Sequence, residues 1–250
     1  INSDERGRVL YWAGSFQRDI KKRDSYWNKL LERQPLTFHA LHVASAMNVD
    51  LLEVVKARSD IAVIRSFEGL TPEVATSLRW LETLYLLERQ HAADVFSKWL
   101  VSNESEALPQ NVIIYLGALK TSTATPLNTI TFLTSQVVKD PNMLNTQVLR
   151  MLFPLPYYEA FAESAYGLDP FLVMGLARQE SAFNPKARSR ANAKGVMQVL
   201  PGTASHMGIS PKNLYDVQSN ATAGARYLRK MVDKFGTVEL ALGGYNAGPG

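Results

Sequence analysis

Residues 169–185, DPFLVMGLARQESAFNP, decide how the rest of the chain is read. Asp169 is a good N-cap, and Pro170 suits the first helical position, where its missing N–H removes a donor that would go unpaired anyway. At the far end Pro185 drives Asn184 out of the helical region, so the helix is expected to stop there. Helical spacing places Glu180 on the stripe of Leu176 and Val173, which carries an acid onto the apolar face. A single helical glutamate is ordinarily a solvated side chain, because Glu is almost never fully buried unless paired. Two effects set this one apart. Partial burial disfavours the carboxylate, and a seat in the last turn lies near the negative end of the helix dipole, which disfavours it again. Both raise the pKa, and a glutamate tuned toward ~6 to 7 keeps a proton at neutral pH that it can give to a leaving group.

The segment that follows is basic. Residues 181–215 contain no Asp or Glu, while Lys186, Arg188, Arg190, Lys194 and Lys212 bring five positive charges. That is either an exposed loop or a cleft wall that attracts acidic groups. Within it lies 195–204, GVMQVLPGTA. Asp216 then caps a helix with a clean apolar stripe of Val217, Ala221, Gly224, Leu228, Met231 and Phe235, which core packing explains. Gly236 suits the end of that helix and Thr237 the cap of the next, which carries Glu239, the pair Gly243 and Gly244, and then Tyr245 and Asn246. Two glycines in a helix interior cost ~1 kcal/mol each relative to alanine, so they imply a close backbone approach or a helix that ends early.

These residues carry a resemblance. The run 177–185 (ARQESAFNP), the loop 195–204 and the late 245–248 (YNAG) resemble the three signature motifs of the soluble lytic transglycosylases, in the right order. The resemblance implies a goose-lysozyme-like catalytic domain over residues 151–250. Family members continue past this point into further helices, so the catalytic domain is expected to extend beyond Gly250. The family more often has alanines where Gly243 and Gly244 stand.

The chain has 250 residues, 46% hydrophobic and 20% charged, enough for one large or two ordinary folded domains. It begins at Ile1 without a charged-then-apolar leader, so any export signal is expected to be absent from it. No apolar run reaches the ~18 residues of a membrane span. Zero cysteines exclude disulfides and thiolate metal sites. The net charge of +4 favours an acidic polymer as partner, but the basic residues are dispersed without a nucleic-acid motif, so no nucleic-acid partner is expected.

Residues 1–150 read as helices throughout. Tyr11, Trp12, Phe16, Tyr26 and Trp27 lie among charged residues at spacings that suit an amphipathic hairpin over 6–34. Lys21, Lys22 and Arg23 read as its solvated turn. Thr71 and Pro72 open a helix through Leu78, Leu81 and Leu84, and Pro109, Pro126 and Pro141 punctuate three more segments. The β-branched runs Val112–Ile114 and Thr129–Thr131 sit in helix-length, proline-opened settings and are expected to be buried helix. His39 and His42 are three apart but have no carboxylate in register, so they are read as structural and no metal is expected. The early aromatics are read first as interhelix packing and second as a sugar-binding surface. This half is similar to the helical superhelix that precedes the catalytic domain of the large soluble lytic transglycosylases. The fold class is therefore expected to be all-α, a superhelical array of helix pairs over 1–150 followed by the lysozyme-like domain. The break falls at 153–156, FPLP, which cannot continue a helix, and the next helix, 157–166, is expected to end at Gly167.

Ordinary glycosidases use two carboxylates. Here Asp216 is a cap, Asp233 a helix-surface residue and Glu239 a first-turn residue that the dipole welcomes, which leaves Glu180 alone. One acid suffices when the substrate supplies its own nucleophile. The resemblance implies that Glu180 protonates the oxygen joining N-acetylmuramic acid to N-acetylglucosamine in peptidoglycan. It then takes the proton of the muramoyl C6 hydroxyl as a 1,6-anhydro ring closes. By motif position, Ser181 and Gln198 place groups around the acid, Met197 and Leu200 shape the sugar-binding wall, and Tyr245 and Asn246 hydrogen-bond near it. Lys186, Arg188, Arg190 and Lys194 are candidate electrostatic contacts to acidic substrate groups. No cofactor is expected, the partner is a glycan strand, the compartment the periplasm and the oligomeric state a monomer. Two alternatives stay open: a goose-type lysozyme that uses water, and a glycan-binding scaffold without turnover.

Overall fold

The computed structural model describes residues 3–58, 64, 67–103, 108–121 and 126–248. They form fourteen α-helices: α1 (Ser3–Ser15), α2 (Ile20–Arg33), α3 (Phe38–Met47), α4 (Leu51–Lys56), α5 (Pro72–Leu86), α6 (Gln90–Asn103), α7 (Gln110–Thr121), α8 (Pro126–Lys139), α9 (Thr146–Leu152), α10 (Tyr158–Glu163), α11 (Pro170–Ser181), α12 (Pro201–His206), α13 (Val217–Phe235) and α14 (Val238–Ala247). Among the described residues there is no strand, only the isolated bridges Arg188–Lys194 and Lys194–Val199. The all-α expectation holds, and the β-branched runs lie inside α7 and α8, where Val112, Ile113, Ile114 and Thr129 are buried.

The chain divides into two compact units, residues 1–123 with 128–153 and residues 124–127 with 154–250. In the first, α1 packs on α2 and α5 on α6, around cores that include Leu30, Val43, Leu78, Leu81, Leu100, Ile114 and Leu133. Trp27 donates its indole N–H to the Tyr11 carbonyl at 3.2 Å, and His39 packs 5.1 Å from the Tyr11 ring, so these aromatics are hairpin packing. Trp12 and Phe16 remain largely exposed. The expected turn at Lys21–Arg23 is instead the first turn of α2. Asp19 accepts from the backbone of Lys21 and Lys22, and this cap starts the helix before the basic residues rather than after them.

In the second unit α10 packs on α11 and α13, and α13 on α14. Asp216 and Thr237 cap α13 and α14 through Ser219 N and Leu240 N, and Gly236 ends α13 at φ 78°. The core gathers Phe161, Val173, Met174, Ala177, Met197 and Ala221. The helix expected over 157–166 is shorter: α10 stops at Glu163, and Tyr166 and Gly167 both turn left-handed before Asp169 opens α11.

Candidate active site

At its start α11 forms as its sequence dictates: Asp169 Oδ1 accepts from Phe171 N at 2.8 Å and Pro170 takes the first position. Its end differs from expectation. The helix stops at Ser181 rather than Asn184, because Ala182 and Phe183 both adopt left-handed backbone, φ 47° and 64°. Side chains other than glycine disfavour that conformation, and it persists where the surroundings over-determine it. Here both side chains are buried, with the Phe183 ring edge-on to Phe161 at 6.1 Å.

This early stop leaves Glu180 in the final turn, half-buried beyond the fully buried Val173 and Ala177. Its carboxyl accepts no hydrogen bond from a described residue. Burial pushes its pKa above the ordinary 4.5. The other acids of this unit are exposed. Asp169 and Asp216 are caps, Asp233 pairs with Arg229 at 2.5 Å, and Glu239 lies in the first turn of α14.

The loop that follows is fastened at both sides. Ser181 Oγ donates to the Val196 carbonyl at 2.7 Å and accepts from Asn184 N at 3.1 Å. On α13 the fully buried Asn220 accepts from Met197 N and donates to the carbonyls of Lys194 and Leu214, each at 2.8 Å. Glycine is required where the loop meets α13. A β-carbon on Gly195, whose φ is 75°, would lie 2.3 Å from Asn220 Nδ2, and one on Gly224 would lie 2.4 Å from the Met197 sulfur. Asn220 was absent from the sequence-derived site, although its signal was there. It interrupts the apolar stripe midway between Val217 and Gly224, and a polar residue on a buried face must find partners.

Tyr245 comes in from α14 and donates its hydroxyl to the Met197 carbonyl at 2.9 Å, its ring 5.2 Å from that of Tyr227. Burial first, and then the Glu180 charge, push its phenol far above the usual range, so it stays protonated. The glycine pair upstream is explained in part. α14 runs through both, and Gly244 lets the Phe235 ring approach to 2.4 Å of where a β-carbon would stand, whereas Gly243 faces open space.

The remaining expected site residues divide. Leu200 is 44% exposed and stands at the entry to α12. Gln198 has left-handed backbone, φ 48°, and donates its amide to the Gly195 carbonyl at 2.9 Å, which folds it onto its own loop. Met197 does not present a sugar-binding side chain: it is fully buried against Gly224, and its contribution to the site is its main chain. Asn246 is exposed and bonds to no described residue, and the Tyr245 hydroxyl bonds to Met197 rather than to the acid. Lys186, Arg188 and Arg190 are exposed, Arg188 Nε donating to Asn192 Oδ1 at 3.0 Å. Lys194 is half-buried, with its ammonium 5.5 Å from the centre of the Tyr215 ring.

Together these features define an α-helical domain built around a single half-buried carboxyl whose pKa burial raises. Residues 157–250 match the Transglycosylase SLT domain family. It is 38% identical over 109 residues to the soluble lytic murein transglycosylase of Escherichia coli, a match that takes in 39% of this chain and 17% of that protein. It is 41% identical over 87 residues to a transglycosylase of Enterobacteria phage PRD1, covering 35% of this chain and 32% of the phage protein. Among solved structures, the lytic transglycosylase Slt of Pseudomonas aeruginosa, in an inactive mutant with glutamine in place of a glutamate, superposes over 97% of this chain and 39% of its own. The TM-score is 0.69 at 23% identity. The chain thus spans well under half the length of these relatives. No helix among the described residues is long and apolar enough to cross a membrane.

Proposed function

We propose that this protein is a peptidoglycan lytic transglycosylase that cleaves the bond from N-acetylmuramic acid to N-acetylglucosamine and leaves a 1,6-anhydromuramoyl end. The observation that carries this reading is Glu180: one half-buried carboxyl whose pKa burial raises, with no second carboxyl beside it among the described residues. The family match of residues 157–250 and the glutamate-to-glutamine inactivation of the Pseudomonas aeruginosa relative support it.

In this reaction Glu180 gives its proton to the glycosidic oxygen as the bond to the muramoyl C1 breaks. The resulting carboxylate then accepts the proton of the muramoyl C6 hydroxyl, whose oxygen closes on C1. The acid ends as it began, so one group serves both transfers. Tyr245 stays protonated beside it, Gln198, Leu200 and Asn246 line the approach for the glycan, and Ser181 holds the loop to α11. The exposed Lys186, Arg188 and Arg190 attract the lactyl and stem-peptide carboxylates. The proposal extends to a superhelical region over 1–150 ahead of a catalytic domain over 151–250, acting as a monomer in the periplasm.

Mass spectrometry of peptidoglycan digested by the protein tests the reading. Anhydromuropeptides are expected. Reducing muropeptides would make the protein a goose-type lysozyme, and intact sacculi a glycan-binding scaffold.

A further inference from the structure

Away from Glu180, the first unit holds a cavity of about 850 Å³ between α1, the ends of α2 and α8, and the Pro141–Asn142 segment that follows α8. That lies within the ~300–1,000 Å³ of ordinary ligand pockets and is far more than one inorganic ion fills. Arg6, Arg33 and Lys139 line it with a single acid, Glu32, which sets three positive charges against one negative. Among the described residues none of these three cations is in an ion pair. Asp140, next to Lys139, is already engaged, since its carboxylate accepts from Gln110 Nε2 at 2.6 Å and from Asn142 N at 3.0 Å. Helix dipoles explain only part of the cluster. Arg33 and Lys139 each close a helix, where a cation is welcome, but Arg6 stands in the opening turn of α1, where it is not.

The cavity is held in shape by contacts that do not involve these three side chains. Arg58 donates to the carbonyls of Glu32, of Pro141 at 2.5 Å and of Leu144 at 3.1 Å, which ties two of the walls together and adds a further positive charge behind them. Gly7 lets α1 close on the end of α2, because a β-carbon there would lie 2.6 Å from Gln34 Oε1.

The three cations come from three different helices, so a ligand that meets them all needs more than one anionic group. Guanidinium forks match carboxylates. Val9, Leu10 and Val138 add apolar surface, and no aromatic ring lines the cavity, which leaves a nucleobase no face to stack on. We propose that this cavity is a second binding site, which takes a short peptide with two or more carboxylates and an apolar side chain. On the reading of the protein as a peptidoglycan lytic transglycosylase, on which the choice of peptide rests, the occupant is the stem peptide of the glycan.

Calorimetric titration of the full chain with a stem tripeptide released from sacculi tests this. Lys186, Arg188 and Arg190 are first replaced by Gln, so that the basic loop of the second unit does not contribute. The peptide is expected to bind, and added salt to weaken it. Arg6→Gln, Arg33→Gln and Lys139→Gln together are expected to raise Kd about tenfold, because each exposed charge pair contributes modestly. Hydrogen exchange at 32–34 and 138–142 should slow on binding. Binding without that slowing places the peptide elsewhere and overturns the proposal. So do an absence of binding, an unchanged Kd in the triple variant, and equally tight binding of a peptide whose carboxyls are amidated. Inorganic phosphate that displaces the peptide at equal concentration would reduce the site to an unspecific anion patch, and overturns it too. Should the triple variant fail to fold, the exposed Arg6 decides alone: Arg6→Gln is expected to raise Kd about twofold or more, and an unchanged value overturns the site. The proposed reaction fails separately. Peptide bound in this cavity by a chain that releases no anhydromuropeptides refutes the reaction and leaves the binding site standing.

Discussion

Ser181 Oγ donates to the carbonyl of Val196 at 2.7 Å, so the residue next to the acid is also the one that ties α11 to the loop after it. The same oxygen accepts from Asn184 N, which satisfies a backbone group beyond the helix end. Ser181→Ala leaves both groups without this partner, a loss of about 1–3 kcal/mol. Thermal unfolding is expected to shift down, and kcat to fall although Ser181 touches no reacting atom. A variant with wild-type unfolding temperature would show the tie to be dispensable.

Glu180→Gln keeps the shape of the side chain and removes the transferable proton. Turnover of peptidoglycan is expected to fall by about 10² to 10⁴-fold, with the fold and glycan binding retained. Activity above a tenth of wild type would remove Glu180 from the acid role. The same variant has a stability signature. Because the folded-state pKa is raised above 4.5 by burial, the Glu180 contribution to stability is fully present below that value and is lost as pH rises through the raised one. Glu180→Gln should therefore unfold at a higher temperature than wild type at neutral pH and lose that advantage at pH values under the ordinary glutamate range.

What the sequence made legible and what it hid differ in range. The caps Asp169, Asp216 and Thr237 and the stop Gly236 act within a few residues of themselves, and each stands where local chemistry puts it. The burial of Glu180 followed from helical periodicity. The early end of α11 did not, because Ala182 and Phe183 are held left-handed by a core assembled from distant parts of the chain, where Phe161 meets Phe183. Met197 turned inward for a similar reason: the space it fills is made by Gly224, 27 positions away in the sequence. The motif resemblance gave Met197 a place in the site but not the direction of its side chain.

The glycine pair of α14 offers a contrast within one helix. A β-carbon at Gly244 would stand 2.4 Å from the Phe235 ring, and one at Gly243 meets nothing within 4 Å. Gly243→Ala is therefore expected to stabilise the chain by up to ~1 kcal/mol through helix propensity alone. Gly244→Ala should destabilise it by forcing Phe235 out of its place. Chemical denaturation of the two variants checks this, and equal effects of the same sign would contradict the geometry.

The basic loop should act through charge at a distance. Neutralising the exposed Lys186, Arg188 and Arg190 together is expected to weaken binding to purified peptidoglycan at low salt and to flatten its salt dependence. Lys194→Gln should also lower the unfolding temperature slightly, because its ammonium packs over Tyr215. Sedimentation with sacculi across a salt series measures the first effect. Binding that is unchanged at low salt would return the loop to an ordinary solvated surface.

The use of one residue in both proton transfers makes a prediction about pH. Glu180 must begin protonated, so kcat should fall as pH rises through its value in the enzyme–substrate complex. Burial sets that value above the ordinary 4.5, and the falling limb belongs there. An enzyme with two catalytic carboxyls also loses activity in acid, because its second group must be ionised for the chemistry to proceed. Here Asp169, Asp216, Asp233 and Glu239 are exposed and engaged as caps, in an ion pair or in a first helical turn, so no acid limb from the active site is expected. Loss of rate at low pH should instead track unfolding. The measurement is a kcat profile on a soluble glycan fragment, with circular dichroism recorded in parallel. A symmetric bell, with an acid limb in protein that remains folded, would require a second catalytic carboxyl and favour hydrolysis by water over closure of the anhydro ring.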